Sequence, residues 1–579
     1  MKRVNLLISM IVLTALLAGC ATPTAEVVEK VVTQVVKETV KETVIVEGTP
    51  KVIEKEVTRL VEITTTPETT GKWTGDKFGG TLNVALESNI PTMDAMTTVA
   101  AVTSFITYHV YEHIVEFGED YSLQPGAAES WEISPDGKTY TFHLRQGRLF
   151  HNGKEMTSED VIASIKRYME VGGRAGQFVL LESWEAIDKY TFAMHLSGPS
   201  GSFLDALAIP TAELVIMPKE VALDADGNIV PANELKIPED IIGTGPYEFV
   251  EWKPDQYVKT KRFNDYEVVP GERNGLATAG KIPYTDEIVF HIVTEPGAAL
   301  AGLEIGEYDW IGSVPSSEFD RLEEDPGMEL QVVIPGWTVF LMFNHSKWPG
   351  NNLKFRQAIQ AGLDFDTMGL VTMGREDLVR TQPCIWPPEV VWNHEPETAA
   401  LYNQKDIEKA KQLLKEAGYD GQEILVSVMN SGAVSRATLA AVEQMENNLG
   451  LNLKVEAFDW PGLRARWEEK DSWDISSTSY NTPRLLSPDA WASYIHSSSS
   501  SPERGFLVNE EVDKALDDLA KAVTLDERKE KVKELQRVFD TVIPLLHAVE
   551  CRAVQVTGAN VKNFKTWYKP RFFSVWIEE

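Results

Sequence analysis

Regular alternation of apolar and polar side chains sets in at "GGTLNVALE", residues 79–87, where two glycines precede a two-residue rhythm. That rhythm predicts an opening strand and puts the start of a folded body near Phe78. Further on, Trp131 and Ile133 face one way, "SPDGK" turns the chain, and Tyr140, Phe142 and Leu144 alternate on the return, which predicts a hairpin. The period then lengthens. Thr157 and Ser158 stand before "EDVIASIKRYM", where Glu159 and Asp160 suit the positive end of a helix dipole. In "NQKDIEKAKQLLKEAGYDG", Ile407, Ala410, Leu413, Leu414 and Ala417 share a helical face and Gly418 marks the stop. Strands alternating with capped amphipathic helices predict an α/β organisation.

Two earlier patterns stand outside that body. Lys2 and Arg3 precede an apolar run from Leu6 to Leu17, followed by Ala18, Gly19 and Cys20. This reads as a secretory signal, too short to span a membrane. The ending resembles the bacterial lipobox, which implies that residues 1–19 are removed and that the Cys20 sulfur carries a diacylglycerol. Acyl chains bury about 0.8 kcal/mol per CH₂, enough to hold a water-soluble body at a membrane. Residues 20–77 are then a low-complexity tether rich in Val, Thr, Glu and Lys. Val28, Val32, Val36, Val40 and Val44 recur every four residues, but β-branched residues are poor helix formers and "EGTP" at 47–50 interrupts the run. The expectation is a flexible or transiently helical spacer, with a coiled-coil stalk as the alternative.

Length and charge narrow the function classes. A chain of 579 residues is too long for one core and suggests two to four compact units. With 87 acidic against 55 basic residues the net charge is −32, which opposes nucleic acid and anionic lipid as partners. Of three cysteines, Cys384 and Cys551 are left to form either one bridge or two buried thiols.

Little in the chain points to chemistry. His109 and His113 in "HVYEH" lie one helical turn apart, a spacing that can hold zinc, but no third ligand accompanies them. "GTGPY" at 243–247 lacks the lysine of a phosphate loop and reads as a turn. No G-x-S-x-G, paired cysteine motif or H-E-x-x-H occurs, so neither an enzyme nor a cofactor is expected.

The block from "YSLQPGAAESWEISPDGKTYTFHLRQGRLFHNGKEMTSEDVIASIKRYM" onward strongly resembles the family 5 extracytoplasmic solute-binding proteins of peptide and nickel ABC importers. The resemblance continues in "GTGPYEFVEWKPDQYVKTKRFNDYE", "YTDEIVFHIVTEPGAALAGLEIGEYDW", "LMFNHSKWPGNNLKFRQAIQAGLDFDTM" and "NEEVDKALDDLAKAVTLDERKEKVKELQRVF", and covers about residues 78–579. It implies a two-lobe periplasmic-binding-protein-like fold of type II, with mixed sheets, a hinge and an extra subdomain in lobe I. Lobe I is expected at 78–291, including that subdomain at about 110–235, lobe II at 292–550, and a return to lobe I at 551–579. The crossings are expected near Val289 to Thr294 and near His547 to Val556.

The family's cleft implies a ligand site drawn from Glu87, Ser88 and Asn89, from Trp337 and Trp386, and from Tyr480, Asn481, Arg484, Asp489 and Trp491. The aromatic members are candidates for flat walls or for core. Peptide-binding members carry an aspartate that holds the ligand's amine; here Arg484 falls near that place, and an arginine fork suits a carboxylate instead. In another alignment Asp489 is the amine partner. The expected role is capture of a small solute, foremost a peptide, by a membrane-anchored monomer that delivers it to ABC permease subunits. An oligosaccharide or an anionic or chelated small molecule is the alternative cargo; a lipid-anchored hydrolase or an adhesin is the alternative class.

Overall fold

The computed structural model describes residues 30–46, 49–65, 73–481, 487–567 and 569–578, with side chains from Trp73 onward except at Asn481. The chain divides into one unit up to Lys72 and a second from Trp73 to Glu579. In the first, Lys30–Val46 and Thr49–Thr65 pair as an antiparallel ladder. The expected spacer or coiled coil is therefore a strand pair over these residues. A repeat of four is also a multiple of the strand period of two, so the valine spacing does not discriminate, and the β-branched content favours the strand. Cys20 and residues 1–19 lie outside the described residues.

The second unit is built on two mixed sheets. A seven-stranded sheet runs Tyr247–Lys253, Tyr257–Arg262, Glu287–Ile292, Thr81–Leu86, Trp310–Ile311, Val554–Gly558, Met328–Val332. A six-stranded sheet runs Val379–Arg380, Leu545–Cys551, Trp337–Phe343, Ile475–Asn481, Glu423–Met429, Asn452–Phe458. A separate four-stranded sheet occupies residues 128–196 and contains the hairpin in the register its alternation suggests, Trp131 opposite Phe142 and Ile133 opposite Tyr140. Thr157 and Asp160 form a capping box at the start of Ser158–Val171, and Asp406 caps Ile407–Glu416 by accepting from the Lys409 N–H at 2.9 Å. Among the described residues, no helix is long and apolar enough to cross a membrane.

The chain passes between the two large sheets twice, after Val332 and after Cys551. The boundary expected at 291–292 falls inside the seven-stranded sheet instead. Glu287–Ile292 pairs in parallel with Thr81–Leu86, whose other edge takes Trp310–Ile311, so the chain stays in that sheet well beyond residue 292. The crossings lie side by side, with the Val333 N–H donating to the Ala553 carbonyl at 2.8 Å. Glu550, buried, accepts from the Gly336 N–H at 3.0 Å and from Arg380 Nε at 2.8 Å. A Cβ on Gly336 would sit 2.0 Å from the Cys551 carbonyl oxygen. Gly336→Ala is accordingly expected to cost about 1–3 kcal/mol through overpacking, read as a lower urea midpoint; an unchanged midpoint would show that the crossing yields freely.

Candidate functional site

Strand Trp337–Phe343 sorts its side chains between two cores by simple alternation. Phe340 and Met342 join a cluster that also holds Leu82, Val84, Phe290 and Trp310 of the seven-stranded sheet. Val339, Leu341 and Phe343 join a second cluster on the opposite face. The first of these faces, here called inner, is where the two parts of the chain pack against each other.

Aromatic side chains dominate it. The Phe340 ring centroid lies 5.4 Å from Tyr480, 5.4 Å from Trp491 and 5.5 Å from His547. His547 in turn lies 5.2 Å from Tyr402, and Trp491 lies 4.7 Å from Phe539. Trp386 belongs to the same cluster. Several polar atoms here are buried without a hydrogen-bond partner among the described residues: Nε1 of Trp386 and of Trp491, both ring nitrogens of His547, and the side-chain amide of Gln382.

The structure thus brings Trp386, Tyr480 and Trp491 into one cluster and separates other expected members. Trp337 packs on the opposite face, against the second cluster, because it is in phase with Val339 rather than with Phe340. Glu87, Ser88 and Asn89 are exposed where the chain leaves strand Thr81–Leu86, and Glu87 accepts from the Ser313 hydroxyl at 2.6 Å. The Asn481 side chain and Arg484 lie outside the described residues.

Asp489 is buried beside this face and is already engaged. Its Oδ2 accepts from Arg528 Nη2 at 2.7 Å, while Oδ1 has no partner among the described residues. Burial raises its carboxyl above the usual range against the pull of Arg528, with Asp205 raising it further. Arg528 also forks onto Asp205, Nη1 to Oδ1 at 3.2 Å and Nη2 to Oδ2 at 2.6 Å, and lies over the Trp392 ring at 4.6 Å. Thr524 and Glu527 form the capping box that starts helix Leu525–Val542 and fixes Arg528 in its first turn. Asp205 belongs to the part of the chain before the first crossing, and Asp489 and Arg528 to the part between the crossings. The cluster therefore ties the two parts together. Two backbone bonds do the same, Gly201 N–H to the Ala520 carbonyl at 2.8 Å and Val391 N–H to the Asp120 carbonyl at 2.9 Å. Arg528, Asp205 and Gln382 escape sequence reading; burial of charge and amide is the only signal that singles them out.

The histidine pair of "HVYEH" serves other ends. His109 Nδ1 donates to the Phe105 carbonyl at 3.0 Å and its Nε2 accepts from the Phe572 N–H at 3.0 Å, pinning the carboxyl-terminal segment. His113 Nδ1 pairs with Glu116 at 2.8 Å. Cys384 and Cys551 are free, buried thiols.

Comparison with known proteins agrees with this architecture. The family description "bacterial extracellular solute-binding proteins, family 5, middle" matches residues 122–503. A probable peptide ABC transporter periplasmic-binding protein of Sinorhizobium fredii is 27% identical over 475 residues, covering 80% of this chain and 87% of its own. Heme-binding protein A of Haemophilus influenzae is 26% identical, covering 76% and 82%. Among solved structures, the ABC transporter substrate-binding protein CtaP of Listeria monocytogenes superposes with a TM-score of 0.74 at 22% identity, over 87% of this chain and 100% of its own. DppA of Helicobacter pylori, in complex with the peptide STSA, superposes at 0.66 and 23% identity, over 87% and 99%. With more than half of its length matched and two mixed sheets joined by paired crossings, the chain belongs to the bacterial extracellular solute-binding proteins of family 5.

Proposed function

We propose that this protein is an extracytoplasmic lipoprotein, anchored through Cys20, that closes around a small cargo between its two sheet-bearing parts and hands it to an ABC permease. An oligopeptide is the favoured cargo, and the protein acts as a monomer without chemistry of its own. The inner face carries this reading. Trp386, Trp491 and His547 gather buried polar atoms there with no partner among the described residues. Each such atom costs about 1–3 kcal/mol, so a face that collects several is suited to a guest bringing both donors and acceptors, as peptide amides do. Relatives named for peptide and glutathione binding support the same choice.

Thermal denaturation of the full-length protein with oligopeptides, oligosaccharides, nickel–histidine and small acids tests it. Bound cargo raises stability by RT ln(1 + [L]/Kd), about 2.7 kcal/mol at a hundredfold excess over Kd. Trp491→Ala is expected to weaken the peptide by about 2 kcal/mol, roughly thirtyfold in Kd. A shift from sugars or acids alone would replace the peptide, and an unchanged Kd in Trp491→Ala would move the site elsewhere. Mass spectrometry showing an unmodified Cys20 would remove the anchor.

A further inference from the structure

A cavity of about 280 Å³ is lined by Trp131 and Tyr140 of the four-stranded sheet and by Leu204, Val391 and Trp392. Asp205 and Arg528 close its polar end, with side chains only 2% and 5% exposed. An apolar cavity near 150 Å³ is enough to hold benzene, so this volume takes a fused bicyclic ring. The Trp131 indole and the Tyr140 phenol supply flat walls for it, while the Trp392 ring already carries Arg528.

The polar end decides which ring. Among the described residues, the one guanidinium at that end, Arg528, pairs with two carboxylates, Asp205 of the lining and Asp489 outside it, which leaves this described cluster with an excess of acceptors and of negative charge. An N–H or ammonium group is attracted to that end and a carboxylate is repelled. We propose that this cavity is a second ligand site, for a small aromatic molecule bearing a neutral or cationic hydrogen-bond donor. The proposal stands independently of what the inner face carries. Because the walls come from both parts of the chain, a guest here favours their closed arrangement.

Three probes with one ring test the idea: tryptamine, indole and indole-3-acetate, titrated into the full-length protein by calorimetry. Tryptamine is expected to bind tightest and indole-3-acetate at least tenfold more weakly. Leu204→Trp fills the cavity and should reduce tryptamine binding more than tenfold. Leu525, 45% exposed at the rim, gives a second variant, Leu525→Trp, that narrows the mouth without entering the core. It should also weaken tryptamine, while Trp491→Ala should leave tryptamine binding in place. Asp489→Asn should shrink the advantage of tryptamine over indole. Binding that survives both filling variants, an order with the acid first, or loss in Trp491→Ala would each overturn the assignment.

Discussion

Arg528→Ala is expected to lower the free energy of unfolding by about 3–5 kcal/mol, because it strands two buried carboxylates without a counter-charge among the described residues. The Asp205 and Asp489 side chains are only 2% and 8% exposed, and all their charge-assisted bonds to Arg528 vanish at once. The stacking on Trp392 goes as well, worth about 0.5–2 kcal/mol. The matched comparison is the triple variant Arg528→Met, Asp205→Asn, Asp489→Asn. It removes the ion cluster but leaves no buried charge, so its loss should be much smaller than that of the single change. Since Arg528 and Asp205 belong to different parts of the chain, small-angle scattering should also record a larger radius for Arg528→Ala. Equal destabilisation of the single and triple variants would mean that packing alone matters at this point.

Local pattern reached a good part of this architecture. The hairpin of Trp131 and Ile133 with Tyr140 and Phe142, and the helices capped at Thr157 and Asp406, depend on neighbours within a few residues, where alternation and capping carry strong signals. The rest depends on contacts that no local window contains. Both faces of Trp337–Phe343 are buried, so its alternation separates Trp337 from Phe340 without saying which of them looks inward. Asp205 and Arg528 stand 323 residues apart, and each reads alone as an ordinary surface charge. The expectation of a first crossing near residue 291 falls too early: Trp310–Ile311, which keeps the chain in the seven-stranded sheet, is only two residues long and has too short a pattern to register as a strand. In the amino-terminal ladder the valine repeat fits helix and strand alike, leaving β-branching as the only discriminator.

Acidification is expected to destabilise the protein steeply below pH 6.5. His109 is fully buried, and burial together with nearby Lys281 lowers its folded-state pKa to about 3, against the raising effect of its bond to Phe105. Its Nε2 accepts from the Phe572 N–H, so a second ring proton would point at another donor. Burial alone likewise lowers His547 to about 3, where neither ring nitrogen has a partner among the described residues. Between pH 6.5 and 3 the unfolded chain therefore binds protons that the folded chain refuses, and stability falls as pH falls. At 1.36 kcal/mol per pH unit, each histidine contributes a loss of about 2 kcal/mol by pH 5. Asp540 works the other way, since burial raises its carboxyl to about 6, and it returns only about 1 kcal/mol over the same interval. The two histidines outweigh it. His113 adds nothing on the acid side: despite its burial, Glu116 and Glu213 raise it to about 10, so its contribution is complete below 6.5 and is lost only as pH climbs toward 10. Melting temperatures recorded from pH 7.5 to pH 5 should drop for the parent chain and drop less for His547→Phe, which replaces two unpartnered nitrogens with apolar atoms of similar shape. That variant should match or exceed the parent at pH 7.5. Parallel profiles for the two proteins would mean that His547 takes up its proton in the fold as readily as it does in water.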